Sequence, residues 1–186
     1  MTQKPIYSVC VFCGSRFGRM ERYKDSAIEL GTALAENEMR LVYGAGDVGL
    51  MGAVASATQR ANGETFGVIP VHLLDREVGK RDITNFIITE NMHERKKVMF
   101  MNADAIVTLP GGAGSLDELF EVLTWRQLGL HEKPIYLLNV DGFWDPLLAL
   151  LDHIIDEGFA DPSFKELLQV ISDVPELMRR LRAERS

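Results

Sequence analysis

The chain has 186 residues, of which 46% are hydrophobic and 25% charged, and its 20 basic and 27 acidic side chains give a formal net charge of −7. This composition is typical of a globular protein with a sizeable core, and the length predicts one domain, residues 1–186. The negative charge argues against broad nucleic-acid binding. No apolar run is long enough to cross a membrane or to form a signal peptide, so the expected location is the cytoplasm.

Strands and helices are predicted to alternate along the whole chain. Apolar runs predict strands near residues 6–12, 40–44, 65–70, 85–89, 104–109, 134–139 and 168–171. Helices are predicted near residues 21–37, 50–62, 92–103, 115–128 and 145–157, with a last one from about 175. Strands that are apolar throughout fit a parallel sheet covered on both faces. The order therefore predicts an α/β doubly wound sheet, mostly parallel, with helices on both faces.

Two features of the chain bear on its boundaries and loops. Asp173, with Pro175 and Glu176 after it, predicts the start of the last helix. The longest irregular stretch, residues 71–85, carries several charged side chains, and a loop of that length in a compact domain is often functional.

The two cysteines, Cys10 and Cys13, have the Cys-x-x-Cys spacing of redox and zinc sites. They lie on the predicted first strand and its exit, whereas a helix N-terminus is where the pKa of a thiol is lowered. There is no second pair of zinc ligands, and the four histidines are scattered. The sequence therefore predicts buried core cysteines and no metal site.

Three glycine-bearing turns follow predicted strands, at residues 12–18, 43–49 and 110–115. Ligands bind beyond the carboxyl ends of the strands in open α/β sheets, so the turns are expected to converge on one crevice, with Ser15 and Gly46 among the residues that bind substrate. The alternative is ordinary turn chemistry at each of them.

The second turn also matches the dinucleotide fingerprint G-x-G-x-x-G by letter, at Gly44, Gly46 and Gly49. A dinucleotide-dependent dehydrogenase is therefore a competing interpretation. The fingerprint belongs after the first strand, however, and here it follows the second. In that fingerprint an acidic residue about 20 positions later binds the ribose and ends the next strand. Glu64 has this spacing but precedes its strand, so dinucleotide binding is the less favoured interpretation.

The third turn, Pro110-Gly111-Gly112-Ala113-Gly114-Ser115, carries the most information because it joins a buried strand to a helix. Glycines let backbone N–H groups approach an anion, and the helix N-terminus adds unpaired donors and a positive dipole end. Glu118 follows Ser115 by three residues and shares its helix face, where a carboxylate could meet the sugar of a 5′-phosphate nucleotide. The alternative is an ordinary helix start, with Glu118 stabilising the first turn.

The helix near residues 92–103 places two cations beside an apolar stripe. Met92, Lys96 and Met99 fall on that stripe, and Arg95 lies at its edge. Cations there are unusual on a plain core face but make sense if that end of the helix opens on an anionic ligand. The alternative is that both side chains extend along the core edge to reach solvent.

Taken together, these segments resemble the LONELY GUY family of cytokinin riboside 5′-monophosphate phosphoribohydrolases, long described as possible lysine decarboxylases. The resemblance covers nearly the whole chain and rests on residues 12–15, 43–52, 92–96 and 110–118. It implies a Rossmann-like homodimer that hydrolyses the N-glycosidic bond of nucleoside 5′-monophosphates such as AMP or N6-isopentenyl-AMP. The products are a free base and ribose 5-phosphate, and no metal or organic cofactor is implied.

The resemblance assigns catalysis to Arg95 and Glu118. Glycosidic cleavage passes through an oxocarbenium-like state. A carboxylate near the anomeric carbon can stabilise the positive charge of that state or activate the attacking water, and this role is assigned to Glu118. A guanidinium stays protonated, so Arg95 is predicted to position the phosphate or the leaving base instead of acting as an acid. The predicted substrate contacts are Ser15, Gly46, Glu77, Arg95, Lys96, Gly111, Gly112, Ala113, Gly114, Ser115, Leu116, Asp117 and Thr124.

The chain departs from the family pattern at three positions, which bear on base preference more than on activity. Ala45 replaces a usual glycine, Ser115 a usual threonine, and Ala113 stands where plant members often have an aromatic residue. For five apolar residues in and just after the helix near residues 115–128, an interface and a buried core are both open. They are Leu119, Leu123, Trp125, Leu128 and Leu130.

Two other functions fit parts of the pattern. A pyridoxal-phosphate decarboxylase needs a Schiff-base lysine near the phosphate cradle, for which Lys96 and Lys97 are available. A non-catalytic nucleotide or molybdenum-cofactor carrier of the same fold would share the glycine turns. The presence of both Arg95 and Glu118 favours the enzyme.

Overall fold

The computed structural model describes residues 6–74 and 83–184, and within them strands and helices alternate as predicted. The strands are β1 (Ser8–Phe12), β2 (Arg40–Tyr43), β3 (Thr65–Pro70), β4 (Asn85–Thr89), β5 (Ala105–Thr108), β6 (Ile135–Leu138) and β7 (Gln169–Ile171). The helices are α1 (Glu21–Glu36), α2 (Gly49–Arg60), α3 (Met92–Met101), α4 (Ala113–Gln127), α5 (Asp145–Asp156) and α6 (Val174–Ala183). Short 3₁₀ helices, which were not predicted, lie at Val71–Leu73, Val140–Gly142 and Pro162–Leu167.

The described strands form one sheet in the order β4-β3-β2-β1-β5-β6-β7, and each adjacent pair is parallel. The predicted mostly parallel sheet is thus parallel throughout. In the middle of the sheet, Cys10 of β1 pairs with Val42 of β2 and Ile106 of β5. The direction of strand succession reverses between β1 and β5, which is where an open α/β sheet forms its ligand crevice.

Helices cover both faces of the sheet, and successive residues of each strand pack against different layers. Val9 and Val11 of β1 belong to the core that includes residues of α1, α2 and α6. Cys10 and Phe12 belong to the core formed with α3, α4 and α5. This alternation explains why the strands read as continuous apolar runs. Both cysteines are buried, as predicted.

Side-chain caps fix two helix starts. Asp173 Oδ1 accepts a hydrogen bond from the Glu176 backbone N–H at 2.7 Å, which confirms the predicted start of α6. At α3, Asn91 Oδ1 accepts from the Glu94 N–H at 3.0 Å, and Glu94 Oε2 accepts from the Glu90 N–H at 2.9 Å. These bonds set the first turn of α3 just before Arg95. Within the described ranges, no helix has the length and hydrophobicity required to span a membrane.

Candidate active site

The three glycine turns converge at the carboxyl ends of the strands, as predicted. They enclose an inner cavity of about 180 Å³ together with residues of α2, α3 and α4. Its lining is Val11, Cys13, Gly14, Ser15, Gly44, Met51, Leu73, Met92, Arg95, Met99, Gly112, Gly114, Ser115 and Glu118. The turns after β1 and β5 are joined by a hydrogen bond from the Gly14 N–H to the Pro110 carbonyl, at 3.0 Å.

Arg95 lies inside the protein and is 5% exposed, so the alternative that it extends along the core edge to solvent is wrong. Its Nε donates to the Val68 carbonyl at 3.1 Å, and its Nη2 donates to the Gly44 carbonyl at 2.7 Å. The sulfurs of Met92 and Met51 lie 3.8 Å from Nη1 and 4.0 Å from Nη2. Two carbonyls, one within β3 and one directly after the neighbouring β2, thus fix the orientation of the guanidinium plane in the cavity wall.

Gly44 allows this close approach. A Cβ atom at Gly44 would lie 2.0 Å from Arg95 Nη2 and 2.8 Å from its Cζ, closer than any non-bonded contact permits. The next residue, Ala45, is buried with a φ of +56°, in the left-handed region that favours glycine. Glycine would adopt this conformation without strain, and this chain carries the alanine at some cost in backbone strain.

The turn before α4 presents open backbone to the cavity. Helix α4 begins at Ala113, two residues earlier than predicted, after the extended residue Gly112. Among the described residues, nothing lies within 4 Å of a Cβ built at Gly112 or at Gly114. The first N–H groups of a helix have no intrahelical acceptor, so this turn can receive a phosphate. Ser115 is 3% exposed, and its side chain packs against Gly111.

Glu118 lies one turn after Ser115 and lines the same cavity as Arg95. The predicted catalytic pair, carried by two different helices, is therefore brought to one place. Cys13 is part of this wall: burial raises the pKa of its thiol well above the usual range, the Glu118 carboxylate raises it further, and Arg95 opposes the shift. The thiol is neutral, so it contributes shape and not charge.

A second cavity, here called the aromatic cleft, opens beside the first and shares Gly14, Ser15 and Gly112 with it. It has a volume of about 400 Å³, and its lining includes Phe17, Tyr23 and Phe143. The rings of Tyr23 and Phe143 meet edge to face, with centroids 5.4 Å apart. Sequence reasoning missed Tyr23 and Phe143 because they come from distant parts of the chain and carry no motif.

Several predicted substrate contacts lie on the opposite face of α4. That face forms an outer groove of about 510 Å³, lined by Ala113, Leu116, Asp117, Phe120, Glu121, Thr124 and Trp125. Ala113, Leu116, Asp117 and Thr124 were predicted to contact the substrate. These four therefore lie outside the inner cavity of this chain, whereas Gly111 lines the aromatic cleft, and the inner cavity is lined by the predicted contacts Ser15, Arg95, Gly112, Gly114 and Ser115.

The remaining predictions have different outcomes. Gly46 and Lys96 are buried and stand outside the linings of both cavities and of the outer groove. Glu77 lies outside the described residues. Leu119 and Leu123 are buried core, whereas Leu128 and Leu130 are about two-thirds exposed, at 67% and 69%.

The sequence matches the family model described as "possible lysine decarboxylase" over residues 51–181. A cytokinin riboside 5′-monophosphate phosphoribohydrolase of Arabidopsis thaliana is 44% identical over 180 residues, which cover 97% of this chain and 83% of the relative. An Oryza sativa subsp. japonica protein with the same description is 45% identical over 173 residues, which cover 93% of this chain and 72% of that relative. The molybdenum cofactor carrier protein of Chlamydomonas reinhardtii superposes with a TM-score of 0.70 at 22% identity, covering 97% and 98% of the two chains, a likeness of fold alone.

Proposed function

We propose that this chain, which belongs to the LONELY GUY family, hydrolyses the N-glycosidic bond of adenosine 5′-monophosphates, including N6-substituted ones, to a free base and ribose 5-phosphate. The observation that carries the proposal is the meeting of Arg95, Glu118 and the open turn before α4 in one cavity. The names of the relatives support the same reaction and substrate class.

The turn from Gly111 to Ser115 is proposed to hold the 5′-phosphate. Its backbone N–H groups and the positive end of the α4 dipole favour an anion, and the Ser115 hydroxyl can donate to a phosphate oxygen. The phosphate does not react. Its binding instead fixes the sugar one helical turn away, against Glu118.

The chemical step is a substitution at the anomeric carbon. The C1′–N bond breaks, its electron pair leaves with the base, and the positive charge that develops on the sugar faces the Glu118 carboxylate. Water then bonds to C1′ and loses one proton, for which Glu118 is the base, while the departing base takes up one proton. The balance is one water consumed for one free base and one ribose 5-phosphate.

Arg95 is proposed to act as a fixed positive group. Its guanidinium stays protonated, so it positions the phosphate or the leaving base and does not transfer a proton. The carbonyls of Val68 and Gly44 restrict its movement, which keeps it preorganised for a developing negative charge. Ser15 and Gly46 remain predicted substrate contacts in the turns that flank this group.

We further propose that the chain forms a homodimer through the outer face of α4. Predicted contacts on that face point away from the inner cavity of their own chain, so they reach a nucleotide only across an interface. Leu128 continues this face towards the end of the helix and is exposed. Its substitution, Leu128→Glu, is expected to shift the protein from dimer towards monomer in sedimentation velocity.

The matched control for this test is Phe159→Glu, which changes another exposed apolar residue, 84% exposed, after α5. This variant is expected to sediment like the wild type. A wild-type protein that is monomeric at all concentrations tested would contradict the dimer.

The two rival functions make different demands on the site. A pyridoxal-phosphate decarboxylase needs a lysine in the cavity to form the Schiff base. Neither Lys96 nor Lys97 lines the inner cavity, since Lys96 contacts Asp117 and Lys97 is exposed. A carrier of the same fold would bind a nucleotide tightly without turnover. Location in the cytoplasm stays a prediction.

The test is chromatography of the purified protein after incubation with AMP, N6-isopentenyl-AMP and the corresponding nucleosides without phosphate. Free base is expected from the monophosphates, and little or none from the nucleosides, because the phosphate supplies the positioning. The ratio between the two monophosphates measures the base preference. No base from either monophosphate, with the protein shown to be folded, would contradict the proposed function and favour a carrier.

A further inference from the structure

Methionine sulfurs surround the guanidinium of Arg95. Among the described residues, Met51, Met92 and Met99 line the inner cavity. The sulfur of Met92 lies 3.8 Å from Arg95 Nη1, and the sulfur of Met51 lies 4.0 Å from Arg95 Nη2. A thioether is a weak hydrogen-bond acceptor, so an N–H group that faces it can turn to a stronger acceptor on a ligand at little cost. Each terminal nitrogen of this arginine thus has an oxidisable sulfur beside it.

The three methionines differ in exposure to solvent. Met99 is 1% exposed and Met51 is 7% exposed, so both belong to the buried wall of the cavity. Met92 is the first residue of α3 and is partly exposed. Oxidation of a side chain in a folded protein follows its exposure. A small oxidant in solution is therefore expected to reach the Met92 sulfur before the other two.

The cysteine in the same wall responds differently to an oxidant. A thiol reacts with peroxide as its thiolate. Burial raises the pKa of the Cys13 thiol far above neutral pH, and the Glu118 carboxylate raises it further, so the thiolate is scarce. A thioether has no proton to lose, and its reaction with peroxide does not depend on ionisation. Of the sulfurs that line the inner cavity, Met92 is thus the one that exposure and chemistry both favour.

We propose that Met92 is an oxidation site, at which hydrogen peroxide lowers the binding of the substrate by changing the acceptor that faces Arg95. This inference rests on the proposed function, because it concerns the same arginine. The Met92 sulfur gives an electron pair to one peroxide oxygen, the O–O bond breaks, and the proton of the transferred oxygen goes to the departing hydroxide. One thioether and one peroxide become one sulfoxide and one water, with the sulfur oxidised by two electrons and the peroxide reduced.

The sulfoxide changes the contact with Arg95 in two ways. The 3.8 Å between the Met92 sulfur and Arg95 Nη1 lets an oxygen bonded to the sulfur come within hydrogen-bond distance of Nη1. That oxygen is a strong acceptor for a charged donor and competes with the substrate for it. It also takes space in a cavity of about 180 Å³. Both effects weaken substrate binding and leave the carbonyl contacts of Arg95 in place.

The first test follows oxidation and turnover together in protein treated with hydrogen peroxide. Peptide mass spectrometry is expected to find one added oxygen at Met92 before Met51 or Met99. The value of kcat/KM for AMP is expected to fall about tenfold as Met92 is oxidised, because a hydrogen bond from a charged group is diverted. Oxidation of Met51 or Met99 first, or a fully oxidised Met92 with kcat/KM unchanged, would overturn the inference.

The matched variants are Met92→Leu and Met101→Leu, which remove two sulfurs of the same helix. Met101 ends α3 and is 67% exposed, so it is oxidised readily but lies outside the cavity lining. Each treated variant is compared with the same variant untreated. Met92→Leu is expected to keep kcat/KM within about twofold on treatment, whereas Met101→Leu loses as much as wild type. An equal loss in the two variants would place the damage elsewhere.

A second readout does not depend on turnover. The side-chain Nε–H of Arg95 gives a proton–nitrogen NMR signal, which is assigned by its absence in Arg95→Lys. The signal is expected to shift when wild-type protein is oxidised and to stay in place in treated Met92→Leu. An unmoved signal in protein with oxidised Met92 would overturn the contact. If wild-type protein releases no base, the proposed function fails, and this signal alone decides whether the Met92 sulfoxide acts on Arg95.

A further pair covers the case in which Met92→Leu does not fold. Glutamine has nearly the length of methionine and carries a carbonyl at the position of the sulfur, so Met92→Gln imitates the sulfoxide without an oxidant. Met92→Gln is expected to raise KM for AMP about fivefold or more, since a substrate contact is lost. Met101→Gln should leave KM within about twofold of wild type. The same KM in both variants would contradict the proposed competition for Arg95.

Discussion

The turn after β2 and the turn before α4 are both rich in glycine, but the space beside their glycines is used in opposite ways. Beside Gly44 the space is filled by the Arg95 guanidinium, and a Cβ at Gly49, whose φ is +59°, would lie 2.3 Å from the Arg16 backbone nitrogen. Beside Gly112 and Gly114, among the described residues, there is nothing within 4 Å. One turn closes on the protein itself, and the other is open to a ligand.

The comparison explains why the letters G-x-G-x-x-G mislead in this chain. The glycines at Gly44 and Gly49 admit a buried arginine and a neighbouring backbone, whereas Gly112 and Gly114 line the inner cavity with open space beside them. A glycine motif locates an anion site only where the missing side chains leave room that the protein does not fill.

Gly44→Ala tests the closed turn most severely. The added methyl group would overlap Arg95 Nη2, so the guanidinium must move and release its carbonyl acceptors. Base release from AMP is expected to fall about 100-fold or more, with a loss of about 1–3 kcal/mol in the free energy of unfolding. Because the clash is with one side chain, the added cost of Gly44→Ala should be smaller in an Arg95→Ala background. Wild-type activity in Gly44→Ala would contradict the close fit.

Arg95→Lys tests the same turn from the other side. An ammonium cannot reproduce the planar fork that reaches the Val68 and Gly44 carbonyls together. The lysine is therefore displaced from the place of the guanidinium, and kcat/KM for AMP is expected to fall about 10- to 100-fold in steady-state kinetics. Activity close to wild type would show that charge alone is enough and that the fork geometry has no role.

The open turn is tested by a pair of glycine substitutions that should have opposite effects on stability. A Cβ at Gly111 would lie 2.1 Å from Ser115 Oγ, so Gly111→Ala is expected to lower the free energy of unfolding by about 1–3 kcal/mol. Gly114 lies inside α4 beside open space, where alanine is favoured over glycine by about 1 kcal/mol, so Gly114→Ala should raise it slightly. Urea unfolding of both variants measures the difference, and equal effects would contradict the contrast within the turn.

The fold was largely predictable because local signals agreed with the tertiary structure. The apolar strands and the Asp173 cap predicted element boundaries close to those observed, because the central strands β1, β5 and β6 are buried throughout and therefore read as continuous apolar runs. The short 3₁₀ helix at Val140–Gly142 was missed because it depends on Asp141 adopting a φ of +50°, which no periodicity records.

The site was predictable where its residues belong to motifs and not where they depend on packing across the chain. Glu118 and Ser115 share a face of one helix, which the spacing alone indicates. The burial of Arg95 and the contact of Lys96 with Glu121 depend on how α3 lies against the sheet and against α4. Helical spacing placed Arg95 at the edge of a stripe, but the strand carbonyls that hold it are 27 and 51 residues away in sequence.

The most direct test of the central claim is base release from AMP by wild-type protein and by Glu118→Gln, measured by chromatography at matched concentrations with both proteins shown to be folded. The carboxylate is proposed to face the charge that develops on the sugar, so the substitution is expected to lower the rate at least about 100-fold. AMP binding, which depends on the open turn, should change little. A Glu118→Gln protein that releases base within about tenfold of the wild-type rate would contradict the assignment of Glu118 as the catalytic carboxylate.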